Sequence, residues 1–424
     1  MIVSSRISRL AQSILRSRLV RPRTQEDRNE RLLYISTALV GVPIGGIMAF
    51  LPVFMARLGA SSTLIGWLTS APALLAIFTL IPSAMIAERN TDQVRVRVRY
   101  ARMMRIAFLI CALLPFFIPP QYLPIALIII WTAKTFPDTV ATTAWTTVMT
   151  EAVSPQRRAK LNGTRWALLS IVSAISSAFF GWMLDRLSFP LNYQMVFMIS
   201  FIFDWMDPYF FQQILVPPLD VSAVVYSSNL IERIRQYFEP IGKEKSFLLF
   251  LACTILYRIA LNLPAPLFSL FWVNNLQAPD TLIGLRGTIG YVALVAGYLF
   301  WGRSANRMGH RKVLMLAALG LAVYPIATAL APSAIWIIPI AGIWGLTASG
   351  IDVGLFDLML ASIPKQRQPL FAAVWSMVAN LAIFAGPLLG AALSQATSLA
   401  AALIIAGVVQ AITTIPFIFL PDDV

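Results

Sequence analysis

Long apolar runs separated by short polar or basic stretches repeat from one end of the chain to the other. Runs of helical length occur near 33–57, 63–86, 104–119, 121–148, 166–185 and 193–217. A second series follows near 246–273, 281–303, 313–330, 334–360, 369–392 and 397–420. Each approaches the ~20 residues that a helix needs to cross ~30 Å of hydrocarbon. In lipid only helices and closed barrels satisfy every backbone N–H and C=O. Barrel strands would alternate polar and apolar positions, and these runs do not. The pattern predicts an all-α integral membrane protein with twelve transmembrane helices.

Composition agrees. The 424 residues are 58% hydrophobic and 12% charged, with a mean hydropathy of +0.74. A soluble chain carries roughly 25% charged residues to keep its surface wet, so the solvent of this surface is lipid. The net charge of +14 does not point to nucleic acid, because the basic residues sit between the apolar runs, on membrane-surface loops. Cys111 and Cys253 fall inside apolar runs, which argues against a disulfide or zinc site, and His310 is the single histidine. No metal site or cofactor is expected, and no G-x-x-x-x-G-K-[ST] loop is present for direct ATP use.

The basic residues also predict orientation. Of 33 Lys and Arg, 28 lie in segments on one side of the twelve-span alternation: 1–32, 89–105, 157–165, 233–245, 303–312 and 365–367. The positive-inside rule then places both termini in the cytoplasm, in an inner (plasma) membrane. The exceptions are Arg57, Lys134, Arg186, Arg258 and Arg286. Residues 4–20 carry an apolar stripe of Ile7, Leu10, Ala11, Ile14 and Leu15 among arginines. Three readings fit: an interfacial amphipathic helix, a basic tail serving only topology, and an organellar transit peptide.

The chain divides into a basic segment 1–32, a six-helix half 33–217, a polar linker 218–245 and a second half 246–420. Thr63-Leu64-Ile65-Gly66 recurs as Thr281-Leu282-Ile283-Gly284, a shift of 218 residues. Ala87-Glu88-Arg89 meets Ala305-Asn306-Arg307 at the same shift, and Pro155, Leu161 and Trp166 match Pro364, Leu370 and Trp375 at 209. Three blocks in order at nearly constant shift mark an internal duplication. Six spans return the chain to its starting side, so the repeat is parallel, about an axis along the membrane normal.

Between the eighth and ninth runs stands Gly302-Arg303-Ser304-Ala305-Asn306-Arg307-Met308-Gly309-His310-Arg311-Lys312. Gly302 would permit close helix contact, and Gly309 the left-handed turn of so short a loop. Arg307, Arg311 and Lys312 would meet lipid phosphates and the negative end of the preceding helix. The segment resembles the loop signature G-x-x-x-D-R-x-G-R-[RK] of the major facilitator superfamily. The resemblance covers about 33–420 and implies two six-helix bundles around a central cavity lined by spans 1, 4, 7 and 10. It also implies a gating role for the loop, which Asn306 in place of the acid puts in question. The first-half copy keeps the acid, as Glu88-Arg89, without the glycines. Gly386-Pro387-Leu388-Leu389-Gly390 resembles family material too, a kink with close packing. The family's drug–proton antiporter pattern is absent from spans 4 and 5, so no subgroup is assigned.

Ionisable groups inside the membrane cost roughly 2.5–3.5 kcal/mol each on insertion scales, which makes them functional candidates. Lys134 and Asp138 lie one turn apart in span 4; they either neutralise one another or serve a solute. Arg258, with Asn262 one turn on, stands in span 7, and Asp352 in span 10. Asp204 and Asp207 in span 6 admit three readings: a bundle-internal pair, a proton site, or a misplaced helix. Gly41-Val42-Pro43-Ile44-Gly45-Gly46 should bend span 1. The expected function is secondary transport of a small solute by alternating access, proton-coupled, by a monomer in the bilayer. Arg258 and Lys134 would attract an anionic or zwitterionic group, and Asp138 or Asp352 would exchange the proton. The rivals are a transporter-like receptor and a membrane-embedded lipid-modifying enzyme.

Overall fold

The computed structural model describes residues 22–218, 241–363 and 368–420. The stripe at 4–20, nearly all of the linker and the basic segment 365–367 lie outside the described residues. In chain order the spans are α1 Gln25–Arg57, α2 Ser62–Glu88, α3 Gln93–Phe117, α4 Leu123–Glu151, α5 Pro155–Leu184 and α6 Leu191–Phe211. The second half holds α7 Lys245–Asn275, α8 Asp280–Met308, α9 His310–Ala329, α10 Ala334–Ser362, α11 Gln368–Ala396 and α12 Leu399–Phe419. Eleven of these helices are long and apolar enough to cross a membrane. The twelfth, α6, has the length, 21 residues, but Asn192, Gln194, Asp204 and Asp207 dilute its hydropathy.

Sequence chemistry sets the starts. Thr24, Ser61, Asp92 and Ser398 each accept a hydrogen bond from the backbone N–H three residues on, at the heads of α1, α2, α3 and α12. The Gly-Pro segment bends α1 as expected: Ile44–Met48 is a π-helical turn, and Gly46 leaves helical geometry at φ −101, ψ −108. An added Cβ at Gly45 would stand 2.3 Å from the Ser173 carbonyl, so the bend lets α1 lie directly on α5.

Three helix starts differ from the hydropathy reading: α1 begins at Gln25 rather than near 33, with Glu26 and Asp27 in its first turn. α3 begins at Gln93 rather than near 104, and α5 at Pro155 rather than near 166. Arg97 and Arg165 therefore stand inside helices rather than in loops, and Arg105, at the edge of the predicted run 104–119, lies well within α3. The apolar run alone did not reveal these helix starts, because charged residues stand in their first turns.

The halves meet along two seams, α2 on α11 and α5 on α8. Both seams are tightest toward the end that carries the α1–α2 and α7–α8 turns. An added Cβ at Gly66 would lie 3.2 Å from the Pro387 carbonyl, and one at Gly284 2.4 Å from the Ser177 carbonyl. The duplicated Thr-Leu-Ile-Gly block thus places a glycine at matching crossings in the two seams.

Hydrogen bonds between the halves gather at this closed end. Arg57 donates to the Ala278 carbonyl at 2.6 Å and pairs with Asp280 at 3.2 Å. Tyr193 donates to Asp280 at 2.8 Å. Asp185 accepts from the N–H groups of Asp280 and Thr281 at 2.9 and 2.7 Å, so a carboxylate of the first half caps α8 of the second. Gln395 donates to Thr63 at 2.7 Å. Toward the other end the halves diverge around cavities.

Candidate functional site

Four connected or adjacent cavities lie between and within the halves. The largest, about 1080 Å³, runs between α2, α4 and α11 and is lined by Glu88, Lys134, Asp138, Ser376 and Asn380. A second, about 860 Å³, opens between α5 and the second half and is lined by Trp166, Arg258, Tyr298, Asp352 and Trp375. A third, about 470 Å³, lies under the closed end and joins α1 to Trp272, Arg286, Tyr324 and Trp344; Asp352 lines it as well. The fourth, about 340 Å³, lies inside the first half among Arg97, Arg105, Asp138 and Arg165. Asp138 and Asp352 each line two cavities, so a carboxylate stands at the junction of each pair.

Lys134 and Asp138 form an ion pair at 3.6 Å across one turn of α4, and the ammonium lies 4.5 Å from the Trp131 ring centroid. Asp138 is the more exposed partner, its side chain 42% accessible against 7% for Lys134. The pair faces the largest cavity with its carboxylate forward.

Arg258 stands on α7, ~20 Å along the helix from Lys245 at 1.5 Å per residue. Its guanidinium lies 4.0 Å from the Trp375 ring centroid, a cation–π stack in a low-dielectric wall. Among the described residues no carboxylate is within ion-pair distance of it, and its buried Nε has no hydrogen-bond partner. Asp352, in the same cavity, accepts from the Tyr298 hydroxyl at 2.7 Å. Asn262 turns elsewhere: its amide donates to the Arg258 carbonyl at 2.7 Å, and its Cβ backs Gly386 of α11.

Asp204 and Asp207 lie in a buried network within the first half, at the wall of the fourth cavity. Arg105 bridges both aspartates, its Nε 3.0 Å from Asp204, and a second Arg105 nitrogen donates to Asp207. Arg97 pairs with Asp207 at 2.7 Å and lies 4.5 Å from the Phe211 ring centroid. The Ser36 hydroxyl donates to Asp207. All five side chains are buried, so the network clamps α1, α3 and α6 together. Of the three readings of Asp204 and Asp207, the geometry matches a bundle-internal arrangement most closely, with arginines from α3 as partners. The need of two intramembrane aspartates for partners was the available signal.

The loop motif behaves as a structural corner. Gly309 adopts φ +86, the positive φ that the short α8–α9 turn demands. Arg311 donates to the Ile418 and Leu420 carbonyls, both at 3.0 Å, and ties the start of α9 to the end of α12. His310 pairs with Asp357 at 2.9 Å. The close helix contact expected at Gly302 is not there: an added Cβ would meet nothing within 4 Å, because the glycine lies beyond the seams. Asn306, Arg307 and Arg89 are exposed, while Glu88 reaches the rim of the largest cavity. Close packing at the Gly386–Gly390 segment is as expected, with added Cβ atoms at Gly386 and Gly390 meeting the carbonyls of Ile259 and Leu263 on α7.

Twelve helices in two six-helix bundles, eleven of them long and apolar enough to cross a membrane, with charged side chains turned into cavities, are the architecture of a polytopic membrane transporter rather than an enzyme. A sequence model described as Major Facilitator Superfamily matches residues 33–214 and 250–424. The chain belongs to that superfamily. No curated protein sequence matches it. Similar solved structures include a POT family transporter in complex with 5-aminolevulinic acid, 14% identical, covering 91% of this chain and 94% of the other at TM-score 0.71. The nucleoside transporter NupG is 12% identical, with 94% and 99% covered at 0.69. The human organic anion transporter MFSD10 is also 12% identical, with 93% and 99% covered at 0.65. At these identities the likeness concerns the fold.

Proposed function

We propose that this chain is a proton-coupled secondary transporter of a small organic anion or zwitterion, working by alternating access. One observation carries the reading: Arg258 faces the cavity on an aromatic ring, with no carboxylate within ion-pair distance among the described residues. A guanidinium held in a low-dielectric wall with an unmet N–H favours an incoming anion. Asp352 in the same cavity is the proton carrier. When ionised it competes with the solute for Arg258; when protonated it leaves the arginine to the solute. Asp138 plays the corresponding part in the first half, with Lys134 the second cation. The two halves, 33–217 and 246–420, rock about the seams, and the hydrogen bonds of Arg57, Asp185, Tyr193 and Gln395 break as the closed end opens. With both termini in the cytoplasm of an inner-membrane protein, the present open end faces the cytoplasm.

The test is uptake by reconstituted protein of a panel of labelled carboxylates, phosphates and amino acids under imposed proton or sodium gradients. Flux of an anion that follows the proton gradient is expected. Asp352→Asn should retain exchange of solute for solute while losing concentration against the gradient. Flux indifferent to the proton gradient in the wild type overturns the coupling, and binding without any counterflow favours the receptor reading.

A further inference from the structure

The cavity under the closed end contains a second cation, one of the five basic residues that fall outside the cytoplasmic segments. Arg286 stands six residues into α8, ~9 Å along the helix from Asp280. Its guanidinium lies 4.6 Å from the Trp272 ring centroid, 5.5 Å from that of Trp344 and 5.7 Å from that of Tyr324. It donates to the Tyr324 hydroxyl at 2.6 Å, and among the described residues no carboxylate lies within ion-pair distance. Three polar atoms of residues lining this cavity are buried without partners: Arg286 Nε, Trp272 Nε1 and Ser269 Oγ. Ser269 and Trp272 are 3% and 6% exposed, so the side chains carrying two of these atoms are almost wholly enclosed.

We propose that this cavity is a second solute station, a subsite for the carboxylate of a planar aromatic monoacid. The assignment rests on the transport reading above and names the solute class. Each unmet group can donate a hydrogen bond, which suits an oxyanion and disfavours a cation. The aromatic walls suit a flat ring, and the volume of about 470 Å³ suits a small one. Arg286 is the one cation lining this cavity and Asp352, shared with the Arg258 cavity, the one carboxylate, so a monoanion is neutralised at Arg286 when Asp352 carries the proton. Asp352 lines both, so a solute passing from the Arg258 station to the Arg286 station moves past the proton carrier.

The probe is benzoate, with benzyl alcohol as the uncharged ring, in equilibrium binding to the purified full-length protein. Wild-type protein should bind benzoate and ignore benzyl alcohol. Arg286→Gln should weaken benzoate by tenfold or more, a hydrogen bond to a charged group being worth about that factor. Trp272→Phe and Ser269→Ala, which each remove one donor and keep the packing, should each weaken it by about threefold to tenfold. A thermal midpoint on each preparation reports folding; if Arg286→Gln does not fold, the two milder variants decide. Wild-type affinity in the folded variants, or no benzoate binding by the wild type, overturns the subsite. Undiminished benzoate affinity in Arg286→Gln alongside Arg258-dependent anion flux sinks the subsite and leaves the transport reading. Arg286-dependent binding with no gradient-driven flux of any solute does the reverse.

Discussion

In the first half Arg97 and Arg105, at the wall of the fourth cavity, each pair with an aspartate of α6, Asp204 or Asp207. In the second half Arg258 and Arg286 lie on tryptophan rings at cavity walls that they share with Asp352, with no carboxylate within ion-pair distance among the described residues. All four arginines are membrane charges, yet their surroundings ask for different things. A paired, buried cluster holds helices in register and is costly to break singly, because removing one partner strands the other. A guanidinium stacked on an aromatic ring and open to a cavity keeps its charge available to a ligand. An intramembrane charge is therefore not by itself a sign of transport; what matters is whether its partner is already in the protein.

That contrast can be broken at several points. The largest effect is expected from Arg105→Met, which strands Asp204 and Asp207 beneath a buried face; about 3–5 kcal/mol of stability should be lost. Thermal unfolding in detergent should show the loss, with transport per folded molecule retained. An unchanged midpoint would remove the structural role of the cluster. Next, Gly181→Leu forces a side chain against the Asp280 carbonyl, which an added Cβ alone would approach to 2.6 Å. Overpacking of about 1–3 kcal/mol should weigh against the closed end. Labelling of Thr63→Cys by a membrane-impermeant maleimide should then rise; unchanged labelling would show that the seam does not set the resting orientation. The smallest effect belongs to the Lys134–Asp138 pair, half open to the cavity, for which about 0.2–1 kcal/mol is expected. With Asp138 and Lys134 in the proton and solute path, the double variant Lys134→Gln with Asp138→Asn should be as impaired in transport as the worse single variant. Transport by the double variant within about twofold of wild type would reduce the pair to self-neutralisation.

The fold was legible because its cause is written in hydropathy: twelve apolar runs, a polar linker and a duplicated Thr-Leu-Ile-Gly block each report on backbone satisfaction in lipid. Gly309 and the Gly41–Gly46 bend were readable because few other residues tolerate those geometries. Helix starts rich in arginine were not readable, since Gln93–Arg105 and Pro155–Arg165 look like loop by hydropathy although tertiary partners hold them helical. Within the candidate site, Arg258, Asp352, Lys134 and Asp138 declared themselves by lying in apolar runs. Arg286 lies inside the predicted run 281–303 too, but near its end, where hydropathy alone does not separate a cavity residue from an interfacial one. Partners such as Trp375 for Arg258, 117 residues away in the chain, arise from packing that no local pattern encodes. Gly302 was misjudged for the same reason, because a glycine at a helix end says nothing about whether a neighbour lies opposite.

The central claim is that the cavity arginines serve a solute while the buried ones serve the fold. Its most direct test measures initial anion uptake and thermal midpoint on the same preparations of wild-type and Arg258→Gln protein in proteoliposomes. The account predicts a midpoint close to wild type and uptake reduced by about tenfold to a hundredfold. Uptake at the wild-type rate, or a loss of uptake that merely follows a collapsed midpoint, would contradict it.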